Sequence, residues 1–224
     1  PKAIEAVLAG GLSQANRYNN IGPLVGAIAV HHQIDETCIL VGCGSTEFLH
    51  ITPWTLLGGG GSLLLPEPTY GWSAEVARSM GARVKTVPLD SRGSVDTEAL
   101  RAAIEPSTRY VYLANPNNPT GASISQEEIE LIVEALPGEA LLLVDEAYSE
   151  FLPGGDSSVE VVRKGVPVVV TRTFSKAHGL AGLRLGYAVA PPRVIDKLKK
   201  FWLWDLGINA AANVAGTAAL ADES

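Results

Sequence analysis

The sequence predicts an α/β fold: a three-layer sandwich with a mostly parallel central sheet and helices on both faces. Two observations carry this expectation. Apolar runs of strand length alternate with helical patterns, and those runs are continuous Val/Leu/Ile stretches bounded by Gly and Pro rather than apolar–polar alternations. Strands of that composition are buried on both faces, which is the condition of a sheet covered by crossover helices. A third observation sets the scale: 224 residues, 46% hydrophobic and 18% charged, suffice for one substantial core.

In chain order, residues 1–35 read as an N-terminal helical segment, with a helix over Gly22–Gln33. Strands are expected at Cys38–Val41, Ser62–Leu65, Arg83–Val87, Tyr110–Ala114, Ala140–Val144, Val166–Thr171 and Leu185–Ala190. Helical patterns fall between them at Thr46–Leu57, Gly71–Met80, Thr97–Ile104, Ser125–Leu136 and Ser157–Arg163. Two further helices, over Arg193–Trp204 and Ala210–Ala221, follow the last strand. Residues 36–205 are thus the main, ligand-binding domain, and 206–224 begin a connection to whatever comes next.

The formal charge of −7 and pI near 5.1 exclude a phosphate-backbone groove, which needs a basic face, so no nucleic-acid partner is expected. A small molecule or another protein is the expected partner. No apolar run reaches the roughly 18 residues that span a bilayer, and "PKAIEAVLAGGLSQ" contains no signal-peptide block, so a cytoplasmic, membrane-free protein is expected. Cys38 and Cys43 form neither a disulfide framework nor a zinc pattern and read as packing residues in a reducing compartment.

In an open parallel sheet the ligand sits beyond the carboxyl ends of the strands. The turns there hold most of the unusual chemistry. "GCGSTE" after the first strand pairs Gly44 with Ser45 and Thr46 at a helix start, where backbone N–H groups and the macrodipole favour an anion. An ordinary capped βα turn explains the same string. Its Gly42-x-Gly44 half-matches the dinucleotide fingerprint, but Glu47 stands at the third glycine.

"PEPTYG" presents Tyr70 on a stiff loop, able to lie over a planar ligand or to pack on a helix. "NPNNPTG" is a proline-constrained turn with amides for a ligand oxygen. "LLLVDEAY" brings Asp145 out of a strongly apolar strand, so it needs a cation or donor, either a ligand or a structural salt bridge. Glu146 and Tyr148 follow, though strand alternation need not aim them the same way.

In "TFSKAHGLAGLRLGY", Lys176 lies just past an apolar strand with Arg184 nearby. Desolvation and positive charge would favour a neutral amine, the nucleophile of a Schiff base. Alone, it reads more readily as a solvated surface lysine. Thr173, Ser175 and Arg184 supply hydroxyls and a guanidinium for phosphate oxygens, and His178 reads as a local hydrogen-bonding residue. Together, a phosphate cradle, a Schiff-base lysine, a carboxylate, a phenol, an amide and a stacking ring suit one ligand, pyridoxal 5′-phosphate.

The strings "NRYN", "GCGSTE", "PEPTYG", "NPNNPTG", "DEAY" and "TFSKAHGLAGLRLGY", in this order from Asn16 to Tyr187, resemble the fold type I pyridoxal-phosphate enzymes. Within them the chain is similar to the class I/II aminotransferases, and most to the histidinol-phosphate aminotransferase group. The resemblance implies an aminotransferase large domain in which Lys176, Asp145 and Tyr148 are catalytic. Lys176 would carry the cofactor and later shuttle a proton at the substrate Cα. Asp145 would pair with the pyridine nitrogen, Tyr148 and Asn118 with the phenolic oxygen, and Tyr70 would stack on the ring. Gly44, Ser45, Thr46, Thr173, Ser175 and Arg184 would hold the phosphate. Tyr18, the tyrosine of "NRY", would reach the phosphate of a neighbouring subunit, implying a homodimer.

The implied reaction moves an amino group between an amino acid and a 2-oxo acid, with no metal. A decarboxylase on the same pocket and a cofactor-binding fragment without turnover are the alternatives. Two departures stand out: "GSTE" puts Thr46 where that group often has an acid, and no residue matches the small-domain arginine that grips a substrate carboxylate. An N-terminal arm and a C-terminal small domain are expected to lie beyond this chain.

Overall fold

The computed structural model describes residues 2–10, 16, 18–152, 157–203 and 207–222. The apolar runs become β1 (Ile39–Gly42), β2 (Ser62–Glu67), β3 (Arg83–Pro88), β4 (Thr108–Ala114), β5 (Leu141–Asp145), β6 (Val168–Thr173) and β7 (Gly186–Val189). They form a single sheet in the order β1-β7-β6-β5-β4-β2-β3. Only β7 runs against its neighbours, pairing antiparallel with both β1 and β6. The expected mostly parallel α/β sandwich is therefore found.

The helices are α1 (Lys2–Gly10), α2 (Gly22–His32), α3 (Ser45–Leu57), α4 (Trp72–Ser79), α5 (Thr97–Ala102), α6 (Gln126–Glu134), α7 (Val159–Arg163), α8 (Pro192–Leu198) and α9 (Ala210–Leu220). Local chemistry starts several of them. Ser125 and Glu128 form a reciprocal capping box on α6, and the Asp96 carboxylate accepts from the Ala99 N–H at the head of α5. Pro23 opens α2, where its missing N–H costs nothing.

Strand alternation sorts the side chains into two cores. Val111, Leu113, Leu142, Val144 and Val170 face a layer that includes α2, α6 and α9. Tyr110, Tyr112, Leu141, Leu143 and Val169 face α3, α4 and α8. The C-terminal helix α9 buries Ala212, Ala215 and Ala219 in the first of these cores, beside Leu24 and Ile28 of α2.

The helix expected over Arg193–Trp204 stops at Leu198, and its last residue lies outside the described ones. The chain turns so that the Trp202 indole N–H donates to the Val41 carbonyl at 2.9 Å, covering a backbone acceptor on edge strand β1. A helix continuing past Leu198 would place that indole elsewhere.

Gly186 shows how tightly the sheet edge is built. A Cβ there would lie 2.4 Å from the Ser45 nitrogen, 2.6 Å from the Gly44 carbonyl carbon and 2.8 Å from the Arg172 oxygen. All three are backbone atoms, so no side chain can yield. Gly186→Ala is expected to lower stability by about 1–3 kcal/mol, the usual cost of overpacking, and to push the Gly44–Ser45 turn off β7. Urea unfolding checks the first effect; an unchanged midpoint would contradict the close approach.

Candidate active site

Asp145 is the last residue of β5 and pairs in register with Thr171 of β6. Its side chain is 5% exposed. The Thr171 hydroxyl donates to Asp145 Oδ1 at 2.9 Å, and the Tyr112 phenol approaches Oδ2 at 3.5 Å. Among the described residues no cation pairs with it: the buried Arg172 guanidinium is taken by Glu146 at 2.9 Å and Glu150 at 2.8 Å. Burial pushes the Asp145 carboxyl up from 3.8 to about 6, against the pull of those hydroxyls.

Glu146, one residue on, points to the opposite face, where Ser157 and the Ser158 N–H also donate to it. Tyr148 returns toward Asp145 through the turn that follows.

On the Asp145 side the strand ends and turns enclose a cavity of about 220 Å³. Ser45, Thr46, Tyr70, Asn118, Asp145, Tyr148, Thr173, Ser175, Lys176 and Arg184 all line it, so ten of the predicted positions meet in one space. Ala114, Ala147 and Ala181 complete the wall; alanines carry no polar signal by which a sequence reveals them.

The asparagine turn divides its labour. Asn115 bonds Ile124 through both amide atoms, and Asn117 donates to the Pro68 carbonyl and accepts from the Thr69 hydroxyl. Asn118 alone of the three is left lining the cavity.

The anion end is built around Gly44. It adopts φ +77°, a left-handed conformation that favours glycine, and a Cβ there would come within 2.6 Å of an Arg184 terminal nitrogen. The glycine thus lets a guanidinium lie against the turn. Helix α3 starts at Ser45 with no side-chain cap, leaving its first N–H groups directed at the same place. Arg184 Nη1 donates to the Ala181 carbonyl at 2.9 Å and to Ser175 Oγ at 3.4 Å; the Thr173 hydroxyl donates to Ser175 Oγ at 3.0 Å.

Three expectations need correcting. Lys176 is exposed rather than desolvated, because the chain bends outward after buried Phe174, and its Nζ stands 5.3 Å from the Tyr148 ring centre. His178 makes a ring contact with Phe174, centres 4.9 Å apart, and no hydrogen bond among the described residues. Cys43 does more than pack: its thiol donates to the Gly207 carbonyl at 2.6 Å.

Tyr18 is 87% exposed and does not line this cavity. Glu47, noted only as a departure from a glycine pattern, accepts from the Cys43 N–H at 2.6 Å and so closes the turn before α3. Among the described residues no cluster of His, Cys, Asp or Glu could hold a metal.

Fold and site together define an α/β protein whose sheet ends open on one cavity, with an uncapped helix start and a guanidinium at one end and a buried carboxylate in its wall. The chain belongs to the aminotransferase class I and II family, whose model matches residues 5–223. It is 40% identical over 221 residues to a histidinol-phosphate aminotransferase of Rubrobacter xylanophilus, covering 96% of this chain and 62% of that protein. An aromatic amino acid aminotransferase of Rhodococcus jostii is 35% identical, covering 98% and 62%. The crystal structure of histidinol-phosphate aminotransferase from Sinorhizobium meliloti, in complex with pyridoxal-5′-phosphate, superposes with a TM-score of 0.90 at 30% identity, covering 100% of this chain and 61% of that one. The chain therefore spans about 60% of the length of these relatives.

The unpaired Asp145 makes stability depend on pH. A carboxyl raised from 3.8 to about 6 binds its proton more tightly folded than unfolded. Its contribution is full below the unfolded value and is lost as pH rises through about 6. The shift corresponds to about 3 kcal/mol. His32, held down to about 3 by burial, has the opposite dependence, but it is common to both proteins in a comparison with Asp145→Asn. Wild type is expected to lose about 2 kcal/mol relative to Asp145→Asn between pH 4 and pH 7. Urea unfolding at stepped pH measures this, and a difference that stays flat would refute the buried, unpaired charge.

Proposed function

We propose that the whole protein is a pyridoxal-phosphate-dependent transaminase, moving an amino group between an amino acid and a 2-oxo acid, with histidinol phosphate or a similar amine as donor. The observation that carries this reading is the single cavity that collects Lys176, Asp145, Tyr70, Asn118, Tyr148 and the Ser45–Arg184 anion end. The residues fit the cofactor on two grounds. Asp145 is a buried carboxylate without a cation, which a protonated pyridine nitrogen would supply, and Gly44 leaves the room an anion-gripping guanidinium needs.

When bound, pyridoxal phosphate supplies a ring that accepts the electron pair left at the substrate Cα. The chain's residues do the rest. Asp145 keeps a proton on the ring nitrogen, and the low-dielectric wall around it strengthens that pairing. Tyr148 and Asn118 donate to the phenolic oxygen, and Tyr70 covers one ring face. Ser45, Thr46, Thr173 and Ser175 donate to phosphate oxygens beside Arg184, whose fork suits them. Lys176 Nζ would hold the cofactor and, once freed, would carry the proton from the substrate Cα to the cofactor C4′.

A homodimer completes the site, with Tyr18 of each copy reaching the other's phosphate; its 87% exposure outside its own cavity supports that role. Two free cysteines suit a reducing cytoplasm. Similarity to proteins named for histidinol phosphate supports the choice of donor.

Borohydride reduction of the protein incubated with pyridoxal phosphate is expected to fix the cofactor mass on the peptide containing Lys176. Lys176→Ala should abolish the adduct. Attachment at another lysine, or no adduct at all, would overturn the assignment.

A further inference from the structure

The turn entering α9 holds the anion end together from outside the cavity. Asn209 caps that helix, its Oδ1 accepting from the Ala212 N–H at 2.8 Å. Its Nδ2 donates to the Leu183 carbonyl at 2.9 Å. These two partners, a donor and an acceptor, leave no freedom in which way the amide faces. Leu183 ends a short 3-10 turn, and the next residue is Arg184, at φ 54° and ψ 62°. A non-glycine residue in that left-handed region persists only where its surroundings hold it. The Leu183–Arg184 peptide is therefore a place where an anchor matters.

The same short segment also grips the other half of the anion end. Gly207, two residues before Asn209, accepts from the Cys43 thiol at 2.6 Å, and Cys43 precedes Gly44. The guanidinium of Arg184 lies against Gly44, within 2.6 Å of where a Cβ would be. Residues 207–209 thus bridge the two turns whose relative placement sets that contact. Asn209 does not line the cavity, so its influence must pass through Arg184.

We infer that Asn209 is a positioning residue for phosphate recognition, fixing the strained backbone of Arg184 so that its guanidinium stays aimed past Gly44 at the ligand's phosphate. The inference rests on the cofactor reading above. It predicts an effect concentrated on the phosphate, since Asp145 and Tyr70 stand on other elements and Lys176 lies seven residues before Leu183, at the other end of the β6–β7 connection.

Asn209→Ser keeps a helix-capping oxygen and removes the donor to Leu183. Absorbance titration of the 224-residue protein with pyridoxal phosphate and with pyridoxal, which lacks the phosphate, separates the two possibilities. The variant is expected to bind pyridoxal phosphate about threefold to tenfold more weakly, the usual worth of one hydrogen bond, while pyridoxal affinity and the thermal midpoint of the ligand-free protein stay unchanged. In an Arg184→Ala background, Asn209→Ser should add nothing. Equal weakening toward both ligands, or an undiminished effect without Arg184, would make Asn209 merely structural and overturn the inference. An unchanged pyridoxal-phosphate affinity in the variant would overturn it too. Failure of the unsubstituted protein to bind pyridoxal phosphate would instead remove the cofactor reading itself.

Discussion

Strand β7 runs against its neighbours, and the anion end depends on that reversal. β6 delivers Thr173 and then Ser175 and Lys176 to the carboxyl edge of the sheet. Had the chain crossed over to start another parallel strand, the residues preceding that strand would lie at the opposite edge. Because β7 is antiparallel, Arg184 sits two residues before its start and on the same rim as Lys176. Gly186, at that start, then lets the Gly44–Ser45 turn press against the sheet. One change of direction brings together side chains from both ends of a twelve-residue stretch, Thr173 to Arg184, and the N-terminus of α3.

The reversed strand also explains why the site needs support from behind. The connection between β6 and β7 has no helix of its own beyond a three-residue 3-10 turn, so little regular hydrogen bonding holds it. Its stability comes from buried Phe174 and Leu180, from the Leu180 N–H donating to the Phe174 carbonyl, and from α9 reaching across to Leu183. A segment held by such scattered contacts is easier to perturb locally than a core strand. Under the proposed function, that suits a loop whose lysine has to reach the cofactor.

Much of the fold was legible because the cause of each element is local. Val166–Thr171 and Ala140–Val144 are apolar runs too short for helices, and β6 and β5 form within two residues of them. Asn118, Asp145 and Lys176 could be placed on one rim because each follows such a run and parallel strands end on the same side. What stayed hidden depends on through-space relations. The exposure of Lys176 depends on the bend after Phe174, and the clasp of Glu47 on Cys43 depends on how the α3 turn folds back. Asn209 lies far along the chain from Leu183, and nothing in its neighbourhood announces the partner.

Asp145 and Glu146 show how the same residue type at adjacent positions separates structure from chemistry. Both emerge from one apolar strand, and both are buried. Alternation sends them to opposite faces, and the faces treat them differently. Glu146 meets a guanidinium, a hydroxyl and a backbone N–H, so its charge is matched within the protein and does a stabilising job. Asp145 meets two hydroxyls and the Ala147 N–H but, among the described residues, no cation, and burial drives its carboxyl up toward neutrality. Folding alone gives no reason to bury a carboxylate so incompletely when its neighbour is so well paired. The structural salt bridge that the sequence allows at "VDEAY" is there, but it belongs to Glu146. The missing positive charge at Asp145 is left for something that enters the cavity.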